Sequence, residues 1–362
     1  MKKLVSVLLA VVMLLSVAAF AEGEYRVAMV TDYGDITDQS FNQTTYEACR
    51  AFCDANGIDF TYYKPTGDST AERVAMIEKA DDEGYNIIVL PGYAFGEPIA
   101  EVQEEYPDVM IIALEVSEAD LGGVELGPNV FSQLYIGQLS GFMAGYAAVK
   151  LGYDHLGFLG GMAVPGVMQY GYGYIQGVDA AAAETGRDVT LEYVYGNQFY
   201  GDADITAYMD TWYQNMGVQV VFACGGGIYT SAAEAAAKVG GKVIGVDVDQ
   251  KNQIDGTYGE GITLTSAMKG LSVTINHLLS ETIAGNFANY GGKVESVGLV
   301  GTDPAENYMQ LAPSTQWNDG FTEADYADLV AKIYNGEITI SEDLTAVPAV
   351  TAITFNDLGT VK

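Results

Sequence analysis

The chain has 362 residues, 49% hydrophobic and 18% charged, with a formal net charge of −32. That length suggests about two domains, and the apolar content is too high for extended disorder. The charge excludes nucleic acid and an electrostatic hold on anionic membranes, disfavours an anionic ligand, and suits a neutral or cationic small molecule.

The start reads as an export signal, residues 1–21: Lys2 and Lys3, an apolar run from Leu4 to Val17, and Ala19-Phe20-Ala21 as an A-x-A cleavage site. Fourteen or so apolar residues are short for a spanning helix. Glu22 follows Ala21 with no lipid-acceptor cysteine, so an exported protein in the periplasm, at the cell surface or secreted is expected. Cys49 and Cys53 stand one helical turn apart and Cys224 is alone, a spacing suited to buried thiols rather than a disulfide framework.

A strand over Tyr25–Val30 runs into Thr31–Gln43, where Asp32, Asp35 and Asp38 precede Phe41. Ser40 and Gln43 form a capping-box pattern, which starts a helix at Phe41 and carries it to Ala55. Strands at Asp59–Tyr63, Asn86–Leu90 and Val109–Leu114 then alternate with helices at Ser69–Glu83 and Pro98–Tyr106. Ser132–Lys150 reads as one long helix, with Gly137, Gly141 and Gly145 at four-residue spacing suited to close helix packing. The alternation repeats through strands at His155–Leu159, Val189–Tyr195, Val218–Phe222 and Lys242–Val246 and helices at Val167–Glu184, Ile205–Met216 and Tyr229–Val239. A strand at Gly261–Thr265, a helix at Met268–Ile283, a strand at Val294–Val300 and a helix at Glu323–Tyr334 complete it.

Alternating β and α elements imply parallel sheets covered on both faces. Two consecutive βα halves imply an α/β fold of two Rossmann-like lobes with parallel sheets, joined by a hinge of several crossovers. The first lobe is expected to hold 22–130 plus about 265–315, the second 131–264 plus about 316–345, and 346–362 to be a C-terminal tail. Ligands in such sheets sit at the carboxyl ends of the strands.

Those ends carry Asp32 and Phe41, Tyr93 and Phe95, Glu115, Gly160-Gly161-Met162, Phe199, Gly225 to Gly227, Asp247 and Asp249, with almost no Lys or Arg. Rings can sandwich a flat ligand, carboxylates take paired hydrogen bonds from hydroxyls or ring N–H groups, and glycines admit backbone N–H groups closely. Lys269 is the one suggestively placed cation: at a predicted helix start it opposes the helix dipole, so a ligand hydroxyl or Asp247 would have to explain it. Singly, Asp32 and Asp38 read equally well as turn and cap residues, and Phe41 and Phe199 read more readily as core; the argument is their convergence on strand ends. The glycine run has no following Gly-Lys-Ser/Thr and no Rossmann spacing. His155 and His277 share no metal-ligand spacing, and there is no G-x-S-x-G elbow. No cofactor and no enzyme activity are expected, although paired carboxylates leave a secreted hydrolase open.

Asp32-x-Gly34 with Asp38-x-Ser40-Phe41-Asn42-Gln43, Gly160-Gly161-Met162 with Gly173-Tyr174-x-x-Gly177, Gly245 to Gln250, and Leu264 to Lys269 together resemble the basic membrane protein family. Those are ABC-transporter substrate-binding proteins, similar in fold to type I periplasmic binding proteins, and the understood members bind purine nucleosides. The resemblance runs from about Tyr25 to Gly336. It implies that Phe41 and Phe199 sandwich the base, that Asp32 and Ser40, beside Asn42, meet its edge, and that Asp247, Lys269 and a glycine among Gly225 and Gly226 hold the ribose. Glu115 stands where the family usually has Asp, one methylene shorter, which bears on base preference. The expected partners are a small neutral ligand, read as a purine nucleoside, and a membrane permease, with the chain acting as a monomer. A sugar or other solute in the same fold, or a signalling receptor, are the alternatives.

Overall fold

The computed structural model describes residues 25–32 and 34–361; the expected leader and Tyr33 lie outside them. Five short runs in the first third form strands β1 (Arg26–Val30), β2 (Asp59–Tyr63), β3 (Ile87–Pro91), β4 (Met110–Leu114) and β5 (Val130–Tyr135). Most are continuously apolar: Ile87 to Leu90 are wholly buried, the pattern of parallel strands covered on both faces. With β11 (Lys293–Val297) they make a parallel sheet in the order β11-β5-β4-β3-β1-β2. Around it lie α1 (Phe41–Asn56), α2 (Thr70–Asp82), α3 (Gly96–Val102) and α9 (Leu271–Ile283).

The second sheet runs β12-β10-β9-β8-β6-β7-β13. Its strands are β6 (His155–Gly160), β7 (Val189–Tyr195), β8 (Val220–Cys224), β9 (Lys242–Asp247), β10 (Thr263–Lys269), β12 (Met309–Leu311) and β13 (Ile353–Thr360). Only β12 is antiparallel, against β10. The helices of this lobe are α4 (Gly137–Lys150), α5 (Pro165–Thr185), α6 (Ala203–Asp210), α7 (Tyr229–Ala237), α8 (Lys251–Tyr258) and α10 (Glu323–Tyr334).

The spaced glycines bring α4 and α5 together. A β-carbon at Gly141 would stand 2.2 Å from the Tyr170 carbonyl oxygen, and one at Gly177 would stand 2.0 Å from that of Phe142. The close packing read from the sequence is therefore real and reciprocal, and it sets Tyr170 at the mouth of the second sheet.

Several expected boundaries move. Ser132–Lys150 is not one helix: Val130–Tyr135 pairs with β4 and β11, the chain turns at Ile136, and α4 begins at Gly137. Sheet pairing overrides local helix propensity there. The strand expected to end at Thr265 continues to Lys269, because β9 and β12 flank it, and the helix starts only at Leu271. Lys269 thus closes a strand and opposes no helix dipole. Pairing also places β10 and β12 in the second sheet and β5 in the first, unlike the expected lobe boundaries. Residues 346–362 are not a plain tail, since β13 pairs in parallel with β7, and Asp179 accepts from the backbone of Thr351 and Ala352 just before it.

The chain crosses between lobes at Ile136, at Gly270 and through residues 298–308. These crossings are tied to one another. Ile136 N–H donates to Val297 (2.9 Å), Gly270 N–H to Tyr308 (2.7 Å) and Tyr308 N–H to Gly298 (3.1 Å). The buried Asn307 side chain organises the third crossing by accepting from Val300 and Gly301 and donating to Gly301 and Asp303.

Candidate functional site

The carboxyl ends of both sheets face one another across a cavity of about 380 Å³, within the range of small-ligand sites, about 300–1,000 Å³. Each wall is built by strand-to-helix connections.

In the first lobe, the connection from β1 to α1 is organised by Asp38 rather than by the expected Ser40–Gln43 box. Asp38 Oδ1 accepts from the N–H groups of Ser40 (2.8 Å) and Gln43 (3.1 Å), and Oδ2 from that of Asn42 (3.0 Å). A carboxylate, with two oxygens, has more acceptor capacity for orphan donors than a single hydroxyl. Burial pushes the Asp38 carboxyl up to about 6, helped by the nearby Asp247 and opposed by those three N–H groups. Gln43 reaches back to Gln39 N–H (3.0 Å), while Ser40 makes no cap bond at all. Its hydroxyl instead donates across the cleft to Asp247 Oδ2 (2.5 Å). Asp32 Oδ1 accepts from Gly34 N–H and from Asn42 Nδ2, both at 3.0 Å. The Asn42 Oδ1 acceptor is buried and has no protein hydrogen-bond partner, an uncommon state for a buried polar atom.

The floor is a charged trio. Glu115 follows β4, Asp247 ends β9 and Lys269 ends β10. Lys269 Nζ lies 2.5 Å from Glu115 Oε1 and 3.8 Å from Asp247 Oδ1. Both acids have left-handed backbone, φ 61° at Glu115 and φ 66° at Asp247. Lys269 is only 8% exposed. Burial alone would lower its pKa, but Glu115 and Asp247 outweigh that and raise it, so the ammonium stays charged. It also lies 5.2 Å from the ring centres of Phe41 and Tyr170 and 5.7 Å from that of Tyr135.

Phe41 lines the cavity from the first lobe and Phe199 from the second. The Phe199 ring has a seat without side chains: β-carbons at Gly161 and Gly225 would come within 2.6 and 3.0 Å of its Cδ1. Gly225 (φ 140°) and Gly226 (φ 51°) also hold backbone that side chains resist. The amino end of α5 opens on the same space. Its N-cap Val164 offers no side-chain acceptor, and Val164 to Val167 line the wall.

The fold therefore gathers Asp32, Phe41, Asn42, Glu115, Phe199, Gly225, Gly226, Asp247 and Lys269 around one cavity. Ser40 is wholly buried behind the wall and meets Asp247 instead of the space a ligand would fill. Sequence reasoning missed Tyr170, Cys224 and the amino end of α5. The glycine spacing that packs α4 on α5 was the signal for Tyr170, and Pro165 at the first helical position was the signal for the start of α5; nothing in the local sequence marked Cys224. Cys49, Cys53 and Cys224 are all buried free thiols. Among the described residues, no cluster of three or more His, Cys, Asp or Glu could hold a metal ion, and no helix is long and apolar enough to cross a membrane.

Known proteins resemble this chain in sequence and fold. The chain is 29% identical over 297 residues to the CD4+ T-cell-stimulating antigen of Listeria innocua, covering 76% of this chain and 80% of that one. It is 24% identical to the ABC transporter nucleoside-binding protein BmpA of Lactococcus lactis (76% and 79% covered) and 26% identical to basic membrane protein A1 of Borrelia garinii (87% and 88%). Among solved structures, an ABC transporter solute-binding protein of Aeropyrum pernix superposes with a TM-score of 0.67 at 22% identity, covering 88% of each chain. One from Conexibacter woesei gives the same TM-score and identity, covering 88% of this chain and 99% of that one. The two-lobed α/β architecture is thus the type I periplasmic-binding-protein fold, and these neighbours are solute-binding proteins, not enzymes. Residues 25–343 match the Bmp family, described as ABC transporter substrate-binding protein PnrA-like, and the chain belongs to that family of substrate-binding proteins.

Proposed function

We propose that the chain captures a purine nucleoside outside the cytoplasm and presents it, enclosed between the lobes, to a membrane permease. The observation that carries this reading is the placement of Phe41 and Phe199 on opposite lobes of one cavity, each flanked by hydrogen-bonding groups. A base between the rings would meet Asp32 and the unpartnered Asn42 acceptor at its edge. A ribose would lie over Asp247, Lys269 and the Gly225–Gly226 backbone. The Lactococcus relative described as nucleoside-binding supports the same ligand class. The export pattern at the start of the sequence supports the location.

Calorimetry with inosine, guanosine and adenosine, and with ribose and arabinose as controls, tests the reading. Purine nucleosides should bind and free sugars should not. Phe41→Ala and Phe199→Ala should each weaken nucleoside binding by about 1–3 kcal/mol, the worth of a stacked base. Binding of a sugar with no heat from any nucleoside would overturn it.

A further inference from the structure

Three side-chain hydrogen bonds span the cleft: Ser40 to Asp247 (2.5 Å), Lys269 to Glu115 (2.5 Å) and Gln250 Nε2 to the Gln39 carbonyl (3.0 Å). Each uses a residue with left-handed backbone. Asp247 has φ 66°, Glu115 φ 61° and Gln39 φ 56°; among the described residues, the one other non-glycine of this kind is Asn197. Such conformations persist only where the surroundings over-determine them, and they concentrate at clamps and switches. Here each strained residue presents an oxygen to the opposite lobe.

The Gln250–Gln39 bond is separate from the ligand space, since neither residue lines the cavity. Gln250 is wholly buried and fixed within its own lobe. Its Oε1 accepts from Val246 N–H (3.0 Å) and its backbone N–H donates to Ser266 Oγ (3.1 Å). Gln39 is fixed in the other lobe by the Gln43 side chain. Two preset groups, each anchored at home, therefore meet across the cleft with little further ordering to be done. Ser40 is equally preset, because Asp38 takes over the capping that would otherwise occupy its hydroxyl.

We propose that Gln250 and Ser40 are positioning residues forming a built-in latch, which holds the lobes closed in the absence of ligand. Ligand affinity is then set partly by how fully the latch populates the closed state, because apparent affinity scales with the binding-competent fraction. This inference needs only that the chain is a two-lobed binding protein; it does not depend on the ligand being a nucleoside.

The test is small-angle X-ray scattering of the full chain after ligand has been removed by unfolding and refolding. Gln250→Glu keeps the acceptor for Val246 N–H but sets a carboxylate oxygen against the Gln39 carbonyl, so it should shift the ligand-free protein to a larger radius of gyration. Ser40→Ala, made in the other lobe, should shift it in the same direction and covers the case that Gln250→Glu fails to fold. Circular dichroism matching the wild type would show that each lobe is intact. A wild-type profile that already fits separated lobes, or a radius of gyration unchanged in the folded variants, would overturn the latch.

Discussion

The two lobes repeat one plan and differ where they meet the cavity. Both sheets set the first strand of the lobe between its second and third, and both end on a strand supplied by a later crossing. Glu115 after β4 and Asp247 at the end of β9 occupy corresponding places with the same left-handed backbone, and Tyr135 at the end of β5 corresponds to Lys269 at the end of β10. The first strand-to-helix connections diverge. In the first lobe Asp38 fills the amino end of α1 with the protein's own carboxylate. In the second lobe the amino end of α5 has no side-chain cap and faces the cavity. A helix amino end attracts oxygen acceptors through its free N–H groups and dipole. One lobe has closed its helix end with its own carboxylate, and the other leaves it open to the cavity.

The largest effect is expected where the lobes share one charge. Lys269→Met would leave the largely buried Glu115 and the buried Asp247 without the cation that both face. Thermal and denaturant unfolding should show a loss of about 3–5 kcal/mol, and binding should disappear. A mild effect would mean that the two acids are neutralised by something other than Lys269.

Making the second lobe resemble the first is the next test. Val164 has extended backbone suited to an N-cap (φ −105°, ψ 160°), so Val164→Asp should cap α5 as Asp38 caps α1. The helix should gain about 1 kcal/mol, seen as a higher thermal midpoint, while ligand affinity measured by calorimetry falls. A stabilised variant with full affinity would show that the open helix end plays no part in binding.

A third test separates the two helix ends by pH. The Asp38 carboxyl titrates near 6 in the folded protein, above its ordinary value of 3.8. The folded state therefore takes up the proton more readily than the unfolded chain, so this group adds stability as pH falls from about 6 toward 4 and adds none above that window. Asp38→Asn keeps an acceptor for the helix and removes the titration. Its thermal midpoint should depend less steeply on pH between 6 and 4 than that of the wild type; equal slopes would contradict the assignment.

Elements whose apolar pattern is long and uniform, such as β3, β6 and α10, were legible in the sequence, because burial on both faces or one helical stripe leaves a periodic record. The strand ends were legible too, since Asp32, Glu115 and Asp247 each close an apolar run with a carboxylate that the core cannot use, and Phe41 and Phe199 stand in the polar connections that follow such runs. What failed was local ambiguity. Val130–Tyr135 could extend a helix or make a strand, and only its neighbours β4 and β11 decide. The Ser40–Gln43 pattern is a sound capping signal by itself, but Asp38 has more acceptor capacity and is near enough to take the same donors.

By itself, then, the amino-acid sequence determined two α/β halves, their order, and the residue types that gather at the strand ends, because those follow from periodicity and from where a polar side chain interrupts an apolar run. Only the tertiary structure decided which lobe owns β10, β12 and β13, that Lys269 joins an acid from each lobe, and that Ser40 and Gln250 hydrogen-bond across the cleft. Those outcomes depend on pairing between residues as far apart as Ser40 and Asp247. No local propensity carries a partner at that distance; it exists only once both sheets are formed and their carboxyl ends meet.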